Sequence, residues 1–283
     1  MNRKYKKIGG WLFFLMAIGL FSVQMGYFFL KSRYVIEYVD NRFFYVINIL
    51  IVLAIFLSLF LLLAVNKKWK MIIVSITVVI LFIQGVFITI HSYQTKHILS
   101  ISPDFKNVVV IKEDRKAKQA KYYRSYYWIF AREKEILPYK TKSEFKVKWV
   151  EKDIAAVTYK SADSKIHQYI GTYGGRDEGS YSYVGPSIAG QWQGDNAMVI
   201  SSLDGITVVH NGKTEKFKWD SVVQFGTLAV VLVQNNEATW MIGLSENFNS
   251  NSNELIPPSG EIVLYEATMN NNDPITLKYL SVE

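Results

Sequence analysis

The sequence predicts an α-helical membrane region with three transmembrane helices, followed by a mostly β extracytoplasmic domain. Three observations carry this reading. Three uncharged apolar stretches occupy the first third of the 283-residue chain. Short runs rich in Val, Ile, Tyr, Phe and Thr, separated by turn signals, fill the rest. The net charge of +8 is unevenly divided: residues 1–97 carry 11 Lys and Arg against 2 acidic residues, and residues 98–283 carry 21 against 22. The basic excess therefore belongs to the apolar third, where it orients helices, and gives no reason to expect a nucleic-acid partner. Cysteine is absent, which excludes disulfide frameworks, thiolate metal sites and thiol nucleophiles.

The apolar stretches cover about 8–30, 43–65 and 71–90, within a membrane region of residues 1–95. Each has the roughly 20 residues a helix needs to cross a hydrocarbon core of about 30 Å. The first follows Arg3, Lys4, Lys6 and Lys7, as a signal peptide would. Its apolar run is too long for a signal sequence and no small-residue cleavage pattern follows, so a retained helix is expected. With Lys67, Lys68 and Lys70 between the second and third stretches, the basic flanks place the N-terminus in the cytoplasm and all that follows residue 90 outside. On the outer side Lys31, Arg33 and Arg42 are offset by Glu37 and Asp40. Trp11 and Trp69 fit the inner interface; Tyr27, Tyr45 and Tyr93 fit the outer one.

Gln24, Asn48 and Gln84 are polar residues within the spans. At 1.5 Å per residue each lies about 8–9 Å below the outer face. Matched depth predicts an intramembrane polar cluster that binds the helices together. A ligand or relay site is the alternative, weakened because no acid or base lies in the spans.

Residues 96–283 read as β structure, in two β subdomains or a sandwich-like arrangement dividing near 174–179, with a small propeller as the alternative. Expected strands include 107–112, 126–132, 145–150, 154–159, 166–173, 197–202, 206–210, 227–234, 239–244 and 262–268. Asp204-Gly205 and Asn211-Gly212 are hairpin signals, since a type I′ turn needs positive φ at both positions. Residues 113–122 are the best helical candidate of this region, with a basic loop as the other reading. Residues 248–258 form a polar, Pro-ended loop.

Ser102-Pro103-Asp104-Phe105-Lys106, the Val-rich strand after it, and Lys148-Trp149 with Asp153 follow an "SPDGK … W … D" pattern over about 101–159, with Phe105 in place of the usual Gly. The pattern resembles small extracytoplasmic β domains of unknown function on membrane proteins of Bacillus-type bacteria. Similar turns open the strands of TolB-like propellers. The resemblance implies a β module facing a Gram-positive cell envelope and no particular activity.

Two features suggest binding. Residues 98–170 carry 16 basic residues against 9 acidic, and residues 171–283 carry 5 against 13. The basic half, next to the membrane, interleaves Lys121 and Arg124 with Tyr123 and Tyr127, a composition suited to anionic headgroups or wall polymers. Strands with aromatics inward and Lys outward are the plainer reading. The second feature is the loop of Gly171, Gly174, Gly175 and Arg176, where clustered Gly would let backbone N–H groups approach an anion that Arg176 completes. It lacks the Lys and the helix of a phosphate loop, and a wide turn is the plainer reading.

Catalytic signals are sparse. His91, His97, His167 and His210 are scattered, with no metal-ligand spacing, and no cofactor motif occurs. Ser143 and Lys146 match a serine–lysine spacing but fall on an expected strand. Asp177 or Glu178 with Asp195 or Asp204 is the sole acid–base pairing to consider, and no catalytic residue is assigned. The expected role is a non-enzymatic binding or accessory protein. Its partners would be the bilayer and another membrane protein, a secreted peptide or an anionic wall polymer. The alternatives are a peptide immunity or sensor protein acting through its helices, and an envelope hydrolase or transferase.

Overall fold

A computed structural model describes residues 3–64, 66–176, 182–249 and 257–280. Asp177, Glu178 and most of the 248–258 loop lie outside the described residues. The chain forms two compact units, one of residues up to 99 with 110–117 and 121–136, the other of 100–109, 118–120 and 137 onward. Residues 110–117 and 121–136 fall within the β region that sequence begins at residue 96, yet they belong to the unit that contains the helices.

The first unit holds α1 (Arg3–Tyr34), β1 (Ile36–Tyr38), α2 (Arg42–Leu62) and α3 (Lys67–Gln94). All three helices are long and apolar enough to cross a membrane. Phe82, in the middle of α3, is 71% exposed, as a lipid-facing side chain would be. Asn66 starts α3 by accepting the Trp69 N–H at 3.1 Å, filling one of the donors a helix start leaves open. A five-stranded sheet completes this part in the order β1-β5-β4-β3-β2, with β2 (Thr95–Ile101), β3 (Val108–Asp114), β4 (Gln119–Tyr126) and β5 (Phe130–Ile136).

Two sequence expectations fail in this sheet. The helical candidate at 113–122 is a β-hairpin. Asp114 Oδ1 accepts the N–H groups of Lys116 and Ala117, both at 2.9 Å, and Lys118 takes φ 54°. That local bonding stabilises a turn in place of a helical start. The strand expected at 126–132 is broken at 127–129 by the bend between β4 and β5, with Tyr127 at φ 50° and Trp128 at φ 66°, and only its ends lie in strands. Two aromatic residues occupy positions that usually go to Asn and Gly.

The second unit begins with β6 (Thr141–Glu151), β7 (Ile154–Ser161) and β8 (Ile166–Thr172), an antiparallel three-stranded sheet. A short helix, α4 (Val184–Ser187), follows. Then come β9 (Gly190–Gln193), β10 (Ala197–Ser202), β11 (Gly205–His210), β12 (Lys213–Phe217), β13 (Val222–Phe225), β14 (Ala229–Gln234), β15 (Glu237–Leu244), β16 (Glu261–Glu266) and β17 (Ile275–Tyr279). These nine form one nearly closed sheet, in the order β12-β11-β10-β9-β17-β16-β15-β14-β13. They make no four-stranded blades, which removes the propeller alternative.

Alternation along β14–β16 explains the packing. Val230, Leu232, Trp240, Ile242, Ile262 and Leu264 point into the core inside the curled sheet. Their neighbours Ala229, Val231, Met241, Val263 and Tyr265 point the other way, onto Ile154, Ala156 and Ile170 of the three-stranded sheet. A strand buried on both faces needs an unbroken apolar run, and these strands have one. Glu215 of β12 accepts the Trp240 Nε1–H at 2.6 Å, joining strands far apart in the sheet order.

The hairpin signals meet different outcomes. Asn211 and Gly212 take φ 50° and 78° between the paired residues His210 and Lys213, as a two-residue type I′ turn requires. At the other signal the hairpin forms, but its loop residues are Leu203 and Asp204, and Gly205 pairs with Ser202 as the first residue of β11. Glycine is needed there because its φ is 135° and a Cβ would meet the Phe217 carbonyl oxygen at 2.1 Å.

Candidate functional site

A set of buried polar groups lies in the first unit, where β1 and β3 meet the connection between α1 and α2. Chain direction creates it. After α1 ends, Val35 turns at φ 55° and β1 runs back along the helix. Tyr38 stacks on Tyr27 at 4.2 Å between centroids, and its hydroxyl donates to Gln24 Oε1 at 2.9 Å. Gln24 Nε2 donates to Asn48 Oδ1 at 2.7 Å and to the Phe44 carbonyl at 2.9 Å. Two of the three expected cluster residues, Gln24 and Asn48, are thus joined. Gln84 is not joined to them; its Oε1 is buried without a hydrogen-bond partner. Tyr38, a residue outside the spans, completes the group.

Above that pair lies Lys112 of β3, whose side chain is 4% exposed. Its Nζ donates to Glu37 Oε2 at 2.8 Å, the Tyr38 carbonyl at 2.7 Å and Asn41 Oδ1 at 2.7 Å, and stands 4.4 Å over the Tyr123 ring. Three acceptors match the three donors of an ammonium. Burial pulls the Lys112 ammonium below its ordinary value, and Glu37 opposes that pull. At Glu37 burial acts to raise the pKa, but the charge and hydrogen bond of Lys112 prevail and hold the carboxyl low.

Asp40 makes a second pair. Its Oδ1 accepts from the Arg42 backbone N–H and from Arg42 Nε, both at 2.9 Å. Burial alone would raise its pKa, yet the Arg42 bonds hold it down. His97 lies 3.9 Å from Asp40 and accepts the Asn41 N–H on Nε2 at 3.4 Å. With its side chain 2% exposed, burial pushes His97 down to about 4. A ring that accepts through Nε2 is a neutral ring. Lys112, Glu37, Asp40 and Arg42 then balance in charge, which offsets the burial of Lys112 and Asp40. A cavity of about 290 Å³ opens beside this joint, lined in part by Tyr27, Lys31, Asn41, Phe44 and His91. The Nε2 of His91 is buried with no hydrogen-bond partner.

The sequence carried two signals for this site. One was Lys112, a charge following the apolar run of β3. The other was an acidic pair among the basic residues of the helix connection. Nothing in the order of residues linked the two.

The other sequence-derived candidates fall into two groups. Gly171 lies in β8 opposite Ala155, and Gly174 and Gly175 lie on the surface beyond it. Arg176 folds back: it donates to both carboxylate oxygens of Asp153, to the Leu244 carbonyl at 2.7 Å and to the Ser245 carbonyl at 2.7 Å. Four of its five N–H donors are thereby engaged. Its side chain, 7% exposed, closes the loop onto β15 and does not offer itself to an anion. Lys121 pairs with Glu133 at 2.8 Å, Tyr123 is buried beneath Lys112, Arg124 is exposed on β4, and Tyr127 stands 89% exposed at the hairpin tip. The basic aromatic face is thus partly internal. Lys146 Nζ binds the Thr268 carbonyl at 2.8 Å and Asn272 Oδ1 at 2.6 Å. Those bonds leave the serine–lysine spacing without its chemistry.

Comparison with protein-family models, with curated proteins and with solved structures finds no match to this chain.

Proposed function

We propose that the protein is a non-enzymatic binding or accessory protein of the cell envelope, anchored by three helices, with its β region outside the cytoplasm. The observation that carries the reading is the Lys112 joint. It fastens a strand of the sheet to the connection between two membrane helices, within one compact unit. An event on that sheet therefore bears directly on the helices. The basic residues before α1 and between α2 and α3 favour a cytoplasmic N-terminus. Phe105 adds local support for the envelope-module resemblance: it takes φ 60°, the conformation suited to the Gly it replaces, and Ser102 Oγ accepts the Asn107 N–H at 2.9 Å.

A second reading, a sensor or immunity protein for a secreted peptide, draws on the same joint, because such a protein must pass occupancy of its outer part to its helices. Partners of either reading are a second membrane protein, a peptide or an anionic wall polymer.

Affinity purification from native membranes in mild detergent, with mass spectrometry of what accompanies the chain, tests the proposal. A membrane protein in fixed ratio supports the accessory role. A chain that purifies alone, and whose deletion leaves tolerance to a panel of membrane-active peptides unchanged, removes both readings. Sidedness has its own test. Leu203 is 98% exposed, and with no native cysteine Leu203→Cys should react with an impermeant maleimide on intact cells. Reaction only after lysis would reverse the topology.

A further inference from the structure

We infer that the bend between β4 and β5 is an interfacial anchor that dips into the same bilayer the helices cross. The tip, Tyr126-Tyr127-Trp128-Ile129, is apolar and open: Tyr127 is 89% exposed, Trp128 49% and Ile129 42%. Its backbone is held in an unusual shape, with Tyr127 and Trp128 both in the left-handed region and the Ile129 N–H bonded to the Tyr127 carbonyl at 2.8 Å. Bulky side chains are disfavoured there, and such conformations concentrate at places with a role.

Position selects the occupant. The tip is tied to the helix connection, since the Val39 N–H donates to the Ile129 carbonyl at 2.9 Å and Phe130 stacks on Tyr38 at 5.4 Å. Val39 lies three residues before α2 begins, and Tyr38 reaches Gln24 of α1. The tip is therefore level with the point where α2 enters the membrane. Strand β5 is antiparallel to β1, which runs back along α1, so the chain leaves the tip in the direction away from the bilayer. Two residues up each strand, Arg124 and Arg132 stand directly opposite one another, both exposed. At about 3.4 Å per strand residue they sit some 7 Å above the tip, a spacing that puts Tyr and Trp in the interface and the guanidinium groups among lipid phosphates. An aromatic tip below paired arginines fits a phospholipid surface better than a protein groove.

The inference rests on the membrane reading of the helices, and the test separates the two. Single cysteines at Tyr127, at Ile129, at Phe82 in α3 and at Leu203 are each spin-labelled, in proteoliposomes of phosphatidylethanolamine and phosphatidylglycerol. Collision with oxygen, which partitions into lipid, is compared with collision with a water-soluble nickel chelate. Labels at 127 and 129 should follow Phe82→Cys, with oxygen favoured over the chelate, and oppose Leu203→Cys. If 82 reads as lipid while 127 and 129 read as water, the anchor is wrong and the membrane reading stands. If 82 also reads as water, the membrane reading itself falls. A label at 127 or 129 shielded from both reagents, or broadened by a second label nearby, would mean that protein covers the tip, and would overturn the inference.

Discussion

The two compact units of this chain hold themselves together in opposite ways. The second sorts its side chains by strand parity into two apolar layers on either face of β14–β16. The first joins its helices to its sheet with an ammonium, two carboxylates, an imidazole and a set of amides, most of them buried. The contrast has a physical source. Helices whose apolar side chains face lipid gain little from packing hydrocarbon on hydrocarbon, so polar contacts must fix their arrangement. A sheet that can withdraw Val, Ile and Trp from water leans less on such devices, although Arg176 and Asp153 form a buried ion pair there. Apolar packing is tolerant of partners, whereas a charge network is satisfied in one arrangement only.

The strongest perturbation should fall on the apolar side of this comparison. Trp192 is fully buried, packs edge-on against Tyr279 and donates to the Ile188 carbonyl at 2.8 Å. Trp192→Ala should cost about 3–5 kcal/mol of stability. Hydrogen exchange should rise across β9, β10 and β17 while 35–41 keeps its protection. If both regions lose protection together, the two units do not unfold separately and the contrast loses its energetic meaning.

Next in size is Lys112→Met, which keeps most of the aliphatic stem and leaves Glu37 without its cation. Removing one partner of a buried pair costs about 3–5 kcal/mol, and the lower end applies because Glu37 retains some exposure. Adding Glu37→Gln should recover part of the loss. Exchange at 35–41 and in β3 is the readout, and protection equal to the parent protein there would show that the joint does not hold the sheet to the helices.

Much of this architecture was legible in the sequence, and the joint was not. Hydropathy located the helices because lipid imposes a length on any span. Period and turn chemistry located most strands, and Asn211-Gly212 even specified its turn. Lys112 is bonded to residues more than 70 positions away, and each partner had an adequate local explanation, as a flanking charge or the wet face of a strand. Arg176 misled for a related reason: a Gly-rich loop ending in Arg reads as an anion cradle until Asp153, 23 residues earlier, is found against it. The bend at Tyr127 and Trp128 was hidden because aromatic residues signal strand, and here they occupy turn positions.

Acid should separate the units more gently. In the folded protein burial holds the His97 pKa at about 4, against an ordinary 6.5. Between those values the unfolded chain binds a proton that the folded chain refuses. Stability therefore rises with pH across that window, and falls as pH drops from 6.5 towards 4. Glu37 and Asp40, both held low, lose their contributions as pH falls through and below their ordinary values, so they join the decline only at the acid end of that window. Melting of the first unit should decline over pH 6.5 to 4, and His97→Gln should flatten that decline. An unchanged slope in the variant would remove His97 as its cause.

The smallest expected effect tests how far the polar principle extends into the membrane. Gln24 bridges Asn48, the Phe44 carbonyl and the Tyr38 hydroxyl, and so links both helices to β1. Hydrogen bonds between membrane helices contribute about 1 kcal/mol or less each, because the separated helices find other partners. Gln24→Leu should therefore lower stability in detergent by about 1–2 kcal/mol, summed over its bonds. Its more telling consequence is positional. Without Gln24 Oε1 the Tyr38 hydroxyl loses its acceptor, and β1 loses one of its ties to α1. A spin label at residue 36 should gain mobility in Gln24→Leu and remain unaffected in Gln84→Leu, since Gln84 takes no part in the bridge. Equal mobility in both variants would mean that the deep amides only glue helices, and that the joint at Lys112 alone positions the sheet.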